Sequence, residues 1–442
     1  MKVPDGTLNI EKDINIHLEN KKLSRMFFAY IFLLYVVVCM TKNCYNSSLA
    51  SIVSEGLLTK SQTSLITAMF FLVYTPLQVM GGIFADKYSP ERMIKIGLVG
   101  AAVANTIIFF NQSYYVMMAA WVFNGIIQFG IWPSIFKIIS SQLVRSDRAR
   151  MTFLISFTST GGFAVSYIVS ALVTNWRYSF AISAGSLLVM AVILHIFEKV
   201  LSPHMKRDRV EEPEIPTENM TEEEKVKARP HYSVKEIFIA SGFFFVLLST
   251  ILSIVVSQSR STLTSVMLVE NYETVSPSLG NILTAVMLVA GLTGIFVAKK
   301  FAGKVKNEAT FIALGTAALL PFLIASVFVG ILPIAVMIGL LCIVAVIESA
   351  IGLFRNYFTL NFTKYGMSGT AAGVLNAGTA FSYVLVAYIM PRVAETFGWR
   401  VMLITWPVIT LIAVLCVCCI IKRFAKFKNG EIDTLLVRSK KR

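Results

Sequence analysis

Five charged residues lie within long apolar stretches of the chain: Lys42, Lys137, Arg260, Arg355 and Glu348. If these stretches cross a membrane, each charge at the bilayer centre costs at least about 2.5–3.5 kcal/mol on insertion scales, so it usually faces a cavity or a partner. Four cations against one carboxylate make such a cavity attractive to anions. The arginine guanidinium also fits a carboxylate or a phosphate. The pattern therefore predicts a cavity that binds a small organic anion.

Each of these charges also has a structural interpretation. Arg260 either contacts a substrate or forms an ion pair between helices, and Lys42 and Lys137 either face the cavity or extend to the membrane interface. Glu348 and Arg355 are seven residues apart, which is about 10 Å along a helix, so each needs another partner. Glu348 is then either a counter-ion or a proton-coupling carboxylate whose burial disfavours ionisation.

Four uncharged residues at similar depths are further candidates for substrate binding. Asn124 and Gln128 are four residues apart and share one helix face, with Trp132 one turn further on, and Tyr74 lies on an earlier apolar stretch. Such groups bind ligand hydroxyls or form hydrogen bonds between helices. We include all four in the predicted site.

The elements that must position these residues are membrane helices. Hydrophobic residues make up 56% of the 442 residues and charged residues only 15%, against about 25% charged in soluble domains. A span needs roughly 20 apolar residues. Twelve stretches qualify: 26–46, 61–85, 93–111, 114–140, 151–174, 178–198, 237–268, 277–299, 308–329, 332–360, 369–391 and 400–421. We predict an all-α, multi-pass protein of the plasma or inner membrane.

The basic residues predict the orientation of these spans. If both termini lie on one side, the tails and loops of that side carry 32 of the 40 Lys and Arg residues, and the opposite side carries four. Cytoplasmic loops carry such an excess, so both termini are predicted to be cytoplasmic. This placement explains the net charge of +15 and excludes nucleic acid as a partner, because the basic residues are scattered without a binding fold.

The chain divides into two repeated halves. The predicted parts are a tail (1–25), a six-helix bundle (26–199), a polar linker (200–236), a second six-helix bundle (237–421) and a tail (422–442). Short similar segments occur at equivalent places in both halves: 82–87 with 294–299, 175–177 with 398–400, and Phe136-Lys137 with Phe354-Arg355. Repeated bundles with a binding site between them are typical of secondary transporters.

These segments carry a family resemblance. Gly82, Asp86, Lys87 and the following Arg92 resemble the loop signature of the major facilitator superfamily. More narrowly, the chain resembles the organophosphate:phosphate antiporter family, which includes glycerol-3-phosphate and hexose-phosphate transporters. The segments are Lys42-Asn43, 85–90, 124–128, Trp132-Pro133, Gly161-Gly162, Arg260, 369–373 and 397–399. The resemblance implies two pseudo-symmetric six-helix bundles, and a conformational latch formed by Gly82, Asp86, Lys87 and Arg92.

Two positions depart from that family. Its first-helix arginine, which binds substrate phosphate, is replaced by Thr41, and its fifth-helix histidine by Thr158. The family's seventh-helix arginine corresponds to Arg260. A phosphate ester and a carboxylate therefore both remain open as substrates, as does the replacement of the missing arginine by Lys42.

These observations together predict a secondary active transporter that moves a small organic anion by alternating access, as an antiporter or a proton symporter. One alternative is a transporter-like sensor that signals to a partner. Another is a neutral or zwitterionic substrate with proton coupling at Glu348. We expect no enzyme activity, because no catalytic motif lies in a span. We also expect no cofactor and no metal site. The expected partners are the substrate, the bilayer and a coupling ion, either a proton or phosphate, and we expect a monomer.

Overall fold

The structure is a computed structural model, and it describes residues 14–155, 157–209, 233–302, 304–362 and 367–431. The described residues are almost entirely helical, with two short strands. Helix starts follow local sequence signals. Ser89 caps the helix that Pro90 opens, and Thr59 and Gln62 form a capping box. Such caps satisfy backbone N–H groups that have no partner within the helix.

The first half contains one strand and eight helical segments. They are β1 (Ile14–Leu18), α1 (Lys21–Ser54), α2 (Lys60–Lys87), α3 (Pro90–Phe110), α4 (Tyr114–Ile127), α5 (Ile131–Lys137), α6 (Arg148–Ile155), α7 (Thr158–Leu172) and α8 (Arg177–Leu201). A π-helical turn, Ile138–Gln142, and a 3-10 turn, Arg145–Asp147, join α5 to α6.

The second half begins after a second strand. Its elements are β2 (Met205–Arg209), α9 (Val234–Ser241), α10 (Phe243–Asn271), α11 (Pro277–Ala302), α12 (Glu308–Ala318), α13 (Leu320–Ser326), α14 (Ile334–Leu360), α15 (Ser368–Phe397), α16 (Trp399–Cys418) and α17 (Ile421–Lys428). Gly242 separates α9 from α10 with a left-handed φ of 72°, a conformation that glycine adopts without a Cβ clash.

Eleven helical stretches among the described residues are long and apolar enough to cross a membrane. Three of them join shorter helices: α4 with α5, α6 with α7, and α12 with α13. The predicted second span, 61–85, corresponds to α2, a helix of 28 residues that is not among the eleven. Twelve spans and the orientation of the termini therefore remain predictions.

The helices pack into two halves that meet along several pairs of helices. α1 contacts α10 and α11, α2 contacts α15, and α7 contacts α11. Small residues allow close approach within each half. A Cβ at Gly162 of α7 would lie 2.5 Å from the Val36 carbonyl oxygen of α1, and one at Gly294 of α11 would clash with the Val346 carbonyl oxygen of α14. A larger residue at either position would force the helices apart.

The two ends of the helical bundle differ. At the near end, where α1 begins, β1 pairs antiparallel with β2, so the chain before α1 is joined to the segment that follows α8. Ion pairs also lie there, Arg25 with Asp147 in the first half and Lys428 with Glu308 in the second. The far end includes the connections after α1, α3, α7, α10, α13 and α15.

Candidate functional site

A buried ion pair joins α10 to α14 in the second half. The Nη2 atom of Arg260 lies 2.5 Å from Oε2 of Glu348, and the two side chains are only 4% and 10% exposed. Arg260 lies in the middle of α10 and Glu348 in the middle of α14. This geometry is the one expected if Glu348 is the counter-ion of Arg260.

Arg355 lies two turns after Glu348 on α14 and is also buried, with 9% exposure. It makes no hydrogen bond or ion pair with any of the described residues, and its Nε atom is shielded from solvent. A buried guanidinium without an acceptor is costly, so an anion entering beside it would be stabilised.

These three side chains line one cavity with a volume of about 190 Å³. Two arginines and one carboxylate give it a formal charge of +1. Hydroxyl groups from Ser253, Ser257 and Ser261 of α10 line the cavity as well. Thr160 on α7 is the first-half contribution to the lining among the described residues. The cavity can therefore accept an anion at its charged end and hydroxyl groups along one wall.

The predicted site does not include these serines or Thr160. The sequence carries a signal for the serines, because positions 253, 257 and 261 repeat every four residues and place three hydroxyls on the helix face next to Arg260. Thr160 carries no comparable pattern, because its place in the cavity depends on how the two halves pack.

Several polar atoms at this site have no hydrogen-bond partner. They are Nε and Nη1 of Arg260, Oε1 of Glu348 and Nε of Arg355, all shielded from solvent. Most buried polar groups in proteins are paired, and each exception requires an explanation. The exceptions at this site surround a single cavity, where a polar ligand or water molecules can pair with them.

Lys42 lies outside this lining, in the first half. Its Nζ donates to the Tyr74 hydroxyl over 2.8 Å and lies 4.2 Å from the centre of the Tyr74 ring. Tyr74 in turn stacks on Phe70. Lys42 and Tyr74, two predicted site residues, are thus brought together with each other rather than with Arg260.

Asn124 and Gln128 also pair with each other. The Gln128 side-chain amide donates to the Asn124 oxygen over 2.5 Å, and both residues are fully buried. Neither lines the cavity among the described residues. The bond runs along α4 to its C-cap residue, so it is not the hydrogen bond between helices that the structural interpretation expects. Nδ2 of Asn124 and Oε1 of Gln128 have no hydrogen-bond partner.

Trp132 and Lys137 lie on α5, away from the cavity lining. The Trp132 ring is 4.8 Å from the ring of Tyr35 on α1. Lys137 is half-buried, and its carbonyl accepts a hydrogen bond from the Ser141 hydroxyl. The structure thus places four of the predicted first-half residues in packing contacts within their own half: Lys42, Asn124, Gln128 and Trp132.

The two threonines that replace family residues are buried, and each hydroxyl already donates a hydrogen bond to the backbone of its own helix region. The Thr41 hydroxyl donates to the Val38 carbonyl over 3.0 Å, and the Thr158 hydroxyl donates to the Ile155 carbonyl. Both residues are fully buried. Neither hydroxyl replaces the charge of the arginine or histidine that the resemblance implied.

The predicted latch lies largely outside the described residues. The side chains of Gly82, Asp86 and Lys87 are not described, although their backbone forms the end of α2. Arg92 is exposed in the first turn of α3, where its backbone N–H donates to the Ser89 hydroxyl. The latch remains a prediction.

The far end of the bundle holds polar contacts between the halves. Lys60 of α2 lies 2.7 Å from Glu270 of α10, and the same carboxylate oxygen accepts from the Trp399 indole over 2.8 Å. Glu395 of α15 accepts from the backbone N–H and the hydroxyl of Ser61. These contacts hold the two halves together at this end.

A buried amide continues these contacts towards the middle of the bundle. Asn281 of α11 donates to the Ser47 carbonyl over 2.9 Å and to the Ser170 hydroxyl over 3.2 Å, and it accepts from Ser265 over 2.6 Å. Helices α1, α7, α10 and α11 thus meet at one side chain.

A comparison with protein families decides the identity. The family model described as Major Facilitator Superfamily matches residues 31–376. The chain belongs to the Major Facilitator Superfamily. It is therefore a multi-pass protein of the inner membrane in a transporter family, which confirms the predicted superfamily and excludes an enzyme.

Curated relatives match parts of this superfamily member. The membrane sensor protein UhpC of Escherichia coli is 24% identical over 176 residues, 39% of each chain. The phosphoglycerate transporter protein of Salmonella typhimurium is 27% identical over 212 residues, 46% of this chain and 44% of the relative. The aligned part thus spans less than half the length of these relatives.

Solved structures show the same fold over nearly the whole chain. A bacterial homologue of the human lysosomal transporter Spinster, in an inward-facing and unoccupied conformation, has a TM-score of 0.73 at 15% identity, covering 92% of this chain and 98% of that one. A D-xylose–proton symporter has a TM-score of 0.69 at 13% identity, covering 90% and 97%. At these identities the likeness concerns the fold alone.

Proposed function

We propose that this superfamily member is a secondary active transporter that moves a small organic anion, a phosphate ester or a carboxylate. One observation carries the proposal: Arg260, Arg355 and Glu348 surround a cavity with a net charge of +1, and the cationic donors have too few acceptors. Arginine binds both carboxylate and phosphate through paired hydrogen bonds. A phosphoglycerate transporter among the relatives is consistent with this class.

Transport proceeds by alternating access in this proposal. The hydrogen bonds of Glu270, Glu395 and Asn281 close the far end, and the substrate enters from the near end. Opening the far end requires breaking them. Substrate binding would favour the intermediate in which Thr160 and the second half enclose the cavity together.

Reconstitution in liposomes tests this function directly. Purified protein should be stabilised against heat by phosphate esters or carboxylates, because a ligand stabilises the state that it binds. The same compounds should cross the membrane of protein-containing vesicles. Sugars and peptides without an anionic group serve as controls. If only neutral compounds bind, the anion proposal is wrong.

A sensor is the second candidate, because UhpC, a relative over 39% of the chain, is described as a membrane sensor protein. A sensor would bind the anion in the same cavity without moving it. If the protein binds the anion specifically but does not move it across the liposome membrane, the sensor is favoured over the transporter.

The coupling ion depends on Glu348. In anion exchange the carboxylate stays ionised as the partner of Arg260, whereas in proton symport it takes up a proton during the cycle. Glu348→Gln removes the ionisable group. If transport by the variant keeps the pH dependence of the wild type, Glu348 is a counter-ion and exchange with phosphate or another anion is favoured.

A further inference from the structure

The two carboxylate oxygens of Glu348 differ in their hydrogen bonding. Oε2 accepts from Arg260 over 2.5 Å, whereas Oε1 has no hydrogen-bond partner. The side chain is nine-tenths buried and lines the cavity. An ionised carboxylate accepts several hydrogen bonds, so its acceptor capacity is only partly used.

We infer that Glu348 selects substrates that carry a hydrogen-bond donor, a hydroxyl or an ammonium group, close to their anionic group. This inference rests on the proposed function and adds a requirement to it. The anionic group would take the free N–H groups of Arg260 and Arg355, and the neighbouring donor would bind Oε1 of Glu348. The class is thus a hydroxylated or aminated small anion rather than a simple alkyl anion.

The chemistry of the cavity supports this pairing. A carboxylate repels an anion that approaches without a donor, so Glu348 weakens binding of a plain phosphate or carboxylate. A donor on the substrate turns that repulsion into a charge-assisted hydrogen bond. Oε1 is shielded from solvent, and rotation about the last torsion of the side chain, which is broad for glutamate, turns it towards the ligand.

The serine wall of α10 agrees with the same class. Ser253, Ser257 and Ser261 both donate and accept hydrogen bonds. The Ser261 hydroxyl donates to the Ser257 carbonyl, and the Ser253 hydroxyl donates to the Ser249 carbonyl. The two hydroxyl oxygens can therefore still accept a hydrogen bond from a substrate. A substrate with more than one hydroxyl can therefore use Glu348 and the serines together.

Matched ligand pairs test the inference in the full-length protein. Glycerol 3-phosphate is compared with propyl phosphate, and lactate with propionate, in binding and in liposome uptake. The two pairs separate a phosphate head from a carboxylate head. For the preferred head, the hydroxylated ligand should bind at least about tenfold more tightly, as expected for a hydrogen bond to a charged group.

Glu348→Gln and Glu348→Asp identify the residue responsible. In the glutamine variant the dissociation constants of the two ligands of a pair should differ by no more than about twofold, because the charged acceptor is gone. The aspartate variant should keep a preference for the hydroxylated ligand. Equal binding of both members of a pair by the wild type overturns the inference. A preference that survives in Glu348→Gln also overturns it and assigns the selection to another group.

Failure of the inference and failure of the proposed function give different results. If propyl phosphate or propionate binds as well as its hydroxylated partner and Arg260→Ala removes both, the anion site stands and only the role of Glu348 is wrong. If no anion binds in any form, both proposals are wrong. Glu308→Gln, a buried carboxylate near the Lys428 end of the bundle, is the control for general loss of stability.

Discussion

The two halves share a brace at the far end but differ in their interior chemistry. In the first half the Trp176 indole donates to Glu55 over 3.0 Å, and in the second half Trp399 donates to Glu270 over 2.8 Å. The brace joins the end of one helix to the start of another at equivalent places. The repeated sequence segments 175–177 and 398–400 contain these tryptophans, so the duplication extends to a hydrogen bond.

The interiors have diverged. At comparable depth the first half holds the neutral Asn124–Gln128 pair and the Lys42–Tyr74 contact, each within its own half. The second half holds two arginines around a carboxylate, and its unpaired donors are charged, whereas those of the first half, such as Nδ2 of Asn43 and Asn124, are neutral. A duplicated scaffold thus retains the contacts that position helices, while one copy concentrates the charge that can bind an anion.

Arg260→Ala should produce the largest effect and tests the charged half. It removes the anion-binding donors and leaves Glu348 buried without its partner, which costs about 3–5 kcal/mol in comparable pairs. We expect uptake in liposomes to be lost and the thermal unfolding temperature to fall.

Arg260→Ala combined with Glu348→Ala separates the two effects. The double variant has no buried carboxylate without a partner, so the thermal unfolding temperature should recover while uptake stays absent. Recovery of uptake in the double variant, or normal kinetics in Arg260→Ala, would remove Arg260 from the site.

Lys42→Gln should have a smaller effect and tests the other side of the comparison. It removes the hydrogen bond and the cation–π contact with Tyr74, worth about 1–2 kcal/mol together. We expect lower stability and uptake within about tenfold of the wild type. Tyr74→Phe removes the same hydrogen bond and serves as the matched variant. If Lys42→Gln abolishes uptake as Arg260→Ala does, Lys42 takes over the role of the missing arginine, and the halves differ less than the contacts indicate.

Lys60→Gln tests the difference between the two braces. Lys60 joins Glu270 to the first half, whereas Glu55 has no such contact with the second half among the described residues. A partly exposed ion pair contributes about 0–1 kcal/mol, so the variant should shift the population towards far-end opening by at most about fivefold. Distances between spin labels at the far end measure this shift. Glu55→Gln is the control, and an equal shift in it would contradict the assignment.

The smallest effect concerns the near end. The hydrogen bond from Arg25 holds the pKa of Asp147 below its usual value, so the pair stabilises the fold above the unfolded-state pKa of about 3.9. This contribution disappears as the pH falls through the lower folded-state pKa. Arg25→Gln should therefore flatten the dependence of thermal stability on pH in the acidic range. Lys428→Gln, which removes the less exposed pair of the second half, should lower stability more at neutral pH.

The sequence predicted the class of the fold and the three charged residues that line the candidate cavity. Apolar runs of about 20 residues identify membrane helices because only helices satisfy their own backbone in lipid, and Arg260, Glu348 and Arg355 were recognised by the cost of burying charge. Their ion pair and shared cavity depend on the packing of α10 against α14, which periodicity does not encode. For the same reason the contact of Lys42 with Tyr74 was not predicted. The Asn124–Gln128 hydrogen bond, by contrast, follows from the four-residue spacing that places both side chains on one helix face.

In the proposed alternating-access cycle, the carboxylate of Glu270 affects how fast the far end opens. Its Oε2 accepts from Trp399 in its own half and from Lys60 across the boundary. When the halves separate, Trp399 keeps its hydrogen bond to Glu270, so this carboxylate retains one hydrogen-bond donor after Lys60 has moved away. Lys60 can return to water from a partly exposed site. The activation barrier for breaking the Lys60–Glu270 ion pair should therefore be low. The pair should affect the fraction of molecules whose far end is closed, but it should not limit the turnover rate.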